Sequence, residues 1–195
     1  PAMILADGVV GQMMEKVTLP PQRRRLTDDE VRARCPWAAT GRTPGRERNV
    51  ITSLELDSAK MEVNNERFQA TYRRIEANEV RFETYATDDC DYLIVAFGSI
   101  ARISRKAVEM ARKDGVKIGV LRPITLWPFP YEEVKKLAQR VKGILVPELN
   151  AGQMIEDVRL AVDGAVRTEH FGRLGGIVPT PDEILNAFYE KIYEK

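Results

Sequence analysis

One histidine, His170, and two cysteines, Cys35 and Cys90, limit the nitrogen and sulfur chemistry open to this chain. A single imidazole cannot supply an HExxH zinc site. Two thiolates fall short of the four that hold an ordinary iron–sulfur cluster. The cysteines form neither a CxxC pair nor a disulfide framework, which suits a reducing, cytoplasmic setting. His170 with Glu169 has the residue types of a general base and its acid. Adjacent residues on a strand face opposite ways, however, so a hydrogen-bonded structural histidine is the better account. Ser53, Ser58, Ser99 and Ser104 are expected as caps or surface residues, since no G-x-S-x-G is present to make a nucleophile.

Two glycine-bearing turns have the composition of anion cradles. Gly98-Ser99 follows an apolar run, yet residues 98–103 read Gly-Ser-Ile-Ala-Arg-Ile, so a tight strand-to-helix turn is favoured over a phosphate loop. Gly172-Arg173-Leu174-Gly175-Gly176 does not lead straight into a helix, and is read as a conformationally demanding loop that lets another chain approach. Glu148 is the best-placed acid, at a strand end, with an expected architectural role of fixing loops with Asn150 and Gln153. Residues 20–50 hold eight arginines against four acids, a balance of 8 − 4 = +4. A solvated linker wrapped on neighbouring subunits is the favoured account; a guanidinium patch for a phosphate ligand is the sharper one. Nucleic acid fits poorly, because only Trp37 is available there for stacking.

The elements that would position these residues follow from periodicity. Tyr92 to Phe97 is a near-continuous apolar run, short enough for a strand covered on both faces. Ser99 is expected to cap a helix whose Ile100, Ile103, Ala107, Met110 and Ala111 share one stripe. Asp114-Gly115 ends it, and Val116 to Leu121 is the next strand, completing a βαβ unit. A helix with Tyr131, Val134, Leu137, Ala138 and Val141 inward runs to Gly143, and Ile144 to Glu148 forms a third strand. Asn150 is expected to cap the following helix, Ala165 to His170 to form a fourth strand, and Thr180-Pro181-Asp182-Glu183 to open the last helix with a capping box. Upstream, Ser53 to about Tyr85 reads as a long helix giving way to an alternating edge strand, Val80 to Tyr85. Pro1 to Ala6 has the composition of a strand that pairs with protein preceding it. The sum is an α/β chain: a three-layer α/β/α sandwich on a mostly parallel five-stranded sheet with one antiparallel edge strand, preceded by a linker and long helix.

Of the 195 residues, 44% are apolar and 30% charged, enough for a core, and no run reaches the length of a membrane span. A formal charge of +1 gives no global case for nucleic acid or an acidic membrane surface.

Phe97-Gly98-Ser99 and Arg122-Pro123-Ile124-Thr125-Leu126-Trp127-Pro128-Phe129-Pro130 carry a family resemblance. So do Glu148-Leu149-Asn150-Ala151-Gly152-Gln153-Met154, Gly172 to Gly176, Asp7-Gly8 and Gly11 to Glu15. In this order they resemble the α subunit of 2-oxoacid:ferredoxin oxidoreductases of the 2-oxoglutarate or 2-ketoisovalerate type. The resemblance implies three parts. Residues 1–19 would be the end of a preceding pyrimidine-type, thiamine diphosphate domain, residues 20–85 an Arg-rich linker, long helix and edge strand, and residues 86–195 a transketolase C-terminal-like domain. It further implies thiamine diphosphate, Mg and iron–sulfur clusters in the whole complex and none in this part. A β subunit and other subunits, with ferredoxin as electron acceptor and coenzyme A as acyl acceptor, would be the partners. The activating glutamate and the diphosphate–magnesium motif cannot be located here, so no catalytic, cofactor-binding or metal residue is assigned, and the chain alone is expected to be inactive. Two other readings stay open: the equivalent domain of a transketolase-like 2-oxoacid dehydrogenase, and a free-standing phosphate- or nucleotide-binding module.

Overall fold

Leu93, Ile94 and Val95 are all buried because β2 (Tyr92–Val95) is covered on both sides. Leu93 and Val95 enter one apolar cluster, and Ile94 enters another on the opposite face. The computed structural model describes residues 2–6, 8–38, 45 and 47–193. Two compact units divide the chain, one being Met14–Gln69 and the other the residues up to Met13 and from Ala70 onward.

In the larger unit, β1 (Phe82–Tyr85), β3 (Ile118–Pro123), β2, β4 (Ile144–Glu148) and β5 (Thr168–Gly172) lie side by side in that order. β1 runs antiparallel to β3, with Phe82 opposite Pro123; all other pairs are parallel. α5 (Tyr131–Ala138) and α6 (Met154–Val162) pack with Leu93, Val95, Ile144 and Val146 on one face. α4 (Gly98–Lys113) and α7 (Pro181–Phe188) pack with Ile94, Val120 and Leu145 on the other. A π-helical turn, Tyr189–Tyr193, continues α7. This is the three-layer arrangement expected from the pattern, with each face of the parallel sheet hidden by its crossovers.

The capping box of α7 forms as expected: Glu183 N donates to Thr180 Oγ1 at 3.2 Å, and Thr180 N donates to Glu183 Oε2 at 2.8 Å. The smaller unit shows the same device at α2 (Asp28–Arg34), where Thr27 and Glu30 bond reciprocally. Long α3 (Ser58–Asn78) has no buried residue.

Several boundaries differ from the sequence expectations, each for a local reason. Residues 2–6 form no strand, because no described residue offers them a ladder; a short helix, α1 (Gly8–Gln12), follows. α3 starts at Ser58 rather than Ser53, since Asp57 Oδ1 accepts from Ala59 N and Lys60 N at 3.0 and 3.2 Å. Ser99 is not the cap of α4: Phe97 holds that position with no side-chain bond, and Gly98 takes the left-handed turn at φ +59°. α5 stops at Ala138, short of Gly143. β3 and β5 each sit about two residues later than expected, where their partners fix the register, Tyr92 opposite Ile118 and Val146 opposite His170.

Candidate functional site at the carboxyl ends of the strands

β2 is flanked by β3 and β4, and the helices that follow β2 and β4 leave on opposite faces. The turn Phe97 to Ser99 and the loop Leu149 to Gln153 therefore meet the carboxyl ends of neighbouring strands where the sheet changes its winding, the usual ligand position in open α/β folds. What occupies this place in the chain is a buried carboxylate.

Glu148 ends β4 with its residue only 1% exposed. Its carboxylate accepts from Met154 N (2.9 Å), Ile155 N (3.0 Å), Gln153 N (3.2 and 3.3 Å) and Asn150 Nδ2 (3.1 Å). Three of these donors are the otherwise unpaired N–H groups opening α6, where the helix dipole also favours negative charge. A buried carboxylate is costly unless so satisfied. Here the strand itself caps the next helix, replacing the local Asn150 cap that the sequence suggests; Gln153 sits at the N-cap without a side-chain bond. Asn150 turns the loop instead, its Oδ1 accepting from Gly152 N at 2.7 Å.

The loop fits because two glycines leave room for it. Gly152 lies at φ +110°, a left-handed conformation. A Cβ on Gly172 would stand 2.5 Å from Asn150 O and 2.6 Å from His170 Cε1. His170 is thus wedged between the two loops. Its Nε2 is buried, has no hydrogen-bond partner and lies 3.7 Å from Glu148 Oε1. Glu169 accepts from Arg167 Nε at 3.0 Å and makes no pair with His170, as strand alternation dictates. An open cleft of about 340 Å³ beside this cluster is lined by Asn150, Ala151, His170, Phe171, Gly172, Leu174 and Lys191.

The Gly172 to Gly176 loop is tied to the far layer: Arg173 N donates to Glu148 O at 3.1 Å, while its guanidinium pairs with Glu183 of the α7 capping box. The proline-rich loop after β3 is also fixed. Ile124 N and Thr125 N donate to Arg81 O (2.9 and 3.1 Å), and Arg81 N donates to Thr125 Oγ1 (2.9 Å). The Trp127–Pro128 peptide is cis. Phe129 is buried in the core, whereas Trp127 is half exposed and meets the edge of Tyr72 at 5.7 Å. Ser104 Oγ is buried in α4 without a partner, and so is His170 Nε2. The arrangement holds loops. Among the described residues no group of three His, Cys, Asp or Glu side chains could hold a metal. Cys90 is buried and donates to Thr87 O at 3.4 Å, its thiol pushed up by burial, so it is no ready ligand; Cys35 lies in Met14–Gln69. These residues do not fit an iron–sulfur cluster. Glu148 does hold Asn150 and Gln153, as its place at a strand end suggests; what spacing missed is that it also caps α6 from five to seven residues upstream, outside any local capping pattern.

Residues 90–184 match the family model of the pyruvate:ferredoxin oxidoreductase core domain II. Ketoisovalerate oxidoreductase subunit VorB of Methanothermobacter thermautotrophicus is 40% identical over 190 residues, covering 97% of this chain and 52% of that protein. 2-Oxoglutarate synthase subunit KorA of the same organism is 31% identical over 206 residues, covering 95% of this chain and 55% of that protein. The chain thus spans about half the length of the curated relatives it matches. Among solved structures, 2-oxoglutarate:ferredoxin oxidoreductase from Magnetococcus marinus superposes with a TM-score of 0.66 at 23% identity, over 79% of this chain and 28% of that one. A split-gene transketolase superposes at 0.51 and 17% identity, over 58% of this chain and 41% of that one. Both share the fold. Residues 90–184 thus match the pyruvate:ferredoxin oxidoreductase core domain II, and along nearly its whole length the chain is similar to subunits of 2-oxoacid:ferredoxin oxidoreductases.

Proposed function

We propose that this chain is the structural part of an α-type subunit in an enzyme that oxidatively decarboxylates a 2-oxoacid to an acyl-CoA and passes the electrons to ferredoxin. The observation that carries this reading is the 40% identity to a ketoisovalerate oxidoreductase subunit over 97% of the chain. Thiamine diphosphate, when bound to such an enzyme, supplies the ylid that attacks the 2-oxo carbon. Residues of this chain do something different: Glu148 and Asn150 hold the loop at the sheet's carboxyl edge, and the Arg81–Thr125 bonds hold the loop bearing Trp127. That is a positioning task, keeping neighbouring protein in register around a cofactor held elsewhere.

In this proposal residues 86–195 are the transketolase C-terminal-like domain. Residues 20–85 connect it to a pyrimidine-type domain whose end is residues 1–19. The exposed Met3, Ile4 and Leu5 support that division, because apolar side chains in an unpaired segment call for a covering surface. The higher identity to the ketoisovalerate relatives than to the 2-oxoglutarate ones, 40% against 31%, favours a branched, apolar substrate.

The test is reconstitution of a polypeptide of the relatives' length with its cognate subunits, thiamine diphosphate, Mg, coenzyme A and an electron acceptor. Acceptor reduction with 2-oxoisovalerate, faster than with 2-oxoglutarate, is expected. Reduction with neither, by a folded complex holding its cofactors, overturns the reading.

A further inference from the structure

His170 is the chain's one imidazole, and its two nitrogens stand in opposite surroundings. The Cε1–Nε2 edge lies against two glycines. A Cβ on Gly172 would meet Cε1 at 2.6 Å and Nε2 at 3.3 Å, and one on Gly152 would meet both at 3.7 Å. Nε2 is enclosed there, 3.7 Å from Glu148 Oε1. Nδ1 is not enclosed, and no described residue bonds it; the side chain is 23% exposed and forms part of the cleft wall. A neutral imidazole carries one N–H and one lone pair. On Nε2 a lone pair would face a buried carboxylate, whereas an N–H is attracted to it. The proton therefore belongs on Nε2, which leaves Nδ1 an acceptor on the open side of the ring.

The rest of the cleft suits an anion with an apolar body. Lys191 brings a cation that makes no ion pair with a described residue, and Ala151, Phe171 and Leu174 bring apolar surface. No carboxylate lines it. The acids nearby are engaged elsewhere: Glu148 by the N–H groups of α6 and by Asn150, Glu169 by Arg167, and Glu183 by Arg173. At about 340 Å³ the space is at the small end of ligand sites, fit for a molecule of few atoms.

We propose that this cleft binds a small carboxylate bearing a hydrogen-bond donor on its second carbon, a 2-hydroxy or 2-amino acid with an aliphatic side chain. The carboxylate meets Lys191, the hydroxyl or ammonium donates to His170 Nδ1, and the aliphatic group lies on Phe171 and Leu174. Glu148 acts on the ligand through the ring, by holding the proton on Nε2. A 2-oxo acid offers only acceptors at its second carbon, so its oxygen would face the Nδ1 lone pair and be rejected. The site binds and does not react, and it stands whether or not the proposed oxidation does.

NMR of the 195-residue chain tests it, because isotope-labelled histidine reports a single ring. At about pH 8, where an ordinary histidine is neutral, the ring nitrogens should show the proton on Nε2; a proton on Nδ1 overturns the proposal. Titration with 2-hydroxyisovalerate and, separately, with L-valine should move the His170 signals saturably, and the tighter of the two tells hydroxyl from ammonium. 2-Oxoisovalerate, the same skeleton without the donor, should bind about tenfold or more weakly than the better ligand. K191M should weaken that ligand by about tenfold or more while leaving the circular dichroism spectrum unchanged. No saturable shift with either ligand overturns the proposal. So does equal binding of 2-oxoisovalerate, or undiminished affinity in K191M. None of these readouts involves turnover, so failure here leaves the oxidoreductase reading standing, and failure of that reading leaves this site standing.

Discussion

Replacing Glu148 by glutamine keeps its shape and removes its charge, and the structure fixes the sign of the result. Oε1 accepts from Ile155 N, and Oε2 from Met154 N and Asn150 Nδ2, so both oxygens face donors. An amide puts an NH2 group against at least one N–H whichever way it turns. A hydrogen bond to a charged group is worth about 1.5–3 kcal/mol, and a buried unsatisfied donor costs about 1–3 kcal/mol. Together E148Q should destabilise the sheet domain by about 3 kcal/mol. At roughly 4 °C per kcal/mol, the low end for a domain near 100 residues, Tm falls by about 12 °C. E148A, which orphans every donor and leaves a cavity, should cost more, about 4–5 kcal/mol. Urea unfolding followed by circular dichroism measures both, with an unchanged slope confirming that stability rather than compactness has moved. The opposite sign is physically reasonable for a buried charge whose desolvation exceeds its gains. If E148Q is as stable as the parent or more so, Glu148 is such a charge, and the account of the loop at the sheet's edge is wrong.

Gly172→Ala forces a Cβ against a backbone oxygen that no rotamer change can clear, and should cost about 1–3 kcal/mol in the same unfolding assay, against no loss for Gly8→Ala, which meets nothing within 4 Å. Thr180→Ala removes one half of the α7 capping box and should lower stability by about 1 kcal/mol. Glu30 is held at about 2 by its bonds to Arg24 and then Thr27, a value below its unfolded one. Its support of α2 is therefore present above the unfolded value near 4.3 and lost as pH falls through about 2. An NMR carboxyl titration should show this, and R24A should move the midpoint up; a midpoint already near 4 in the parent would contradict the pairing. Tyr131 is pushed up to about 12, first by donating to Asp157 Oδ1 at 2.5 Å. That link between α5 and α6 is intact below the unfolded value near 10 and lost as pH rises through about 12. D157N should bring the Tyr131 midpoint down in an NMR titration.

The sheet was legible because both faces of β2 and β4 are covered, which turns alternation into continuous apolar runs such as Tyr92 to Phe97 and Ile144 to Val146. The helix end with a reciprocal capping box at Thr180 was legible for the same kind of reason: the signal is local. Where the decisive partner is distant in sequence, spacing misled. Ser99 has the right type for a cap, but Gly98 had to take the left-handed turn first. Asn150 has the right type too, yet the strand-borne Glu148 already holds those N–H groups. The architectural reading of Glu148 with Asn150 and Gln153 could be made from residue types at a strand end. That the carboxylate spans from β4 to three successive amides of α6 could not, because it depends on how closely the strand's end and the helix's start approach.

The central claim is that this chain positions and does not react. Its most direct measurement is acceptor reduction by the purified 195-residue chain, supplied with 2-oxoisovalerate, thiamine diphosphate, Mg and coenzyme A, beside the complex of longer subunits. The account predicts background rates for the chain and turnover for the complex. Saturable turnover by the chain alone would place the reacting groups within it and contradict the account.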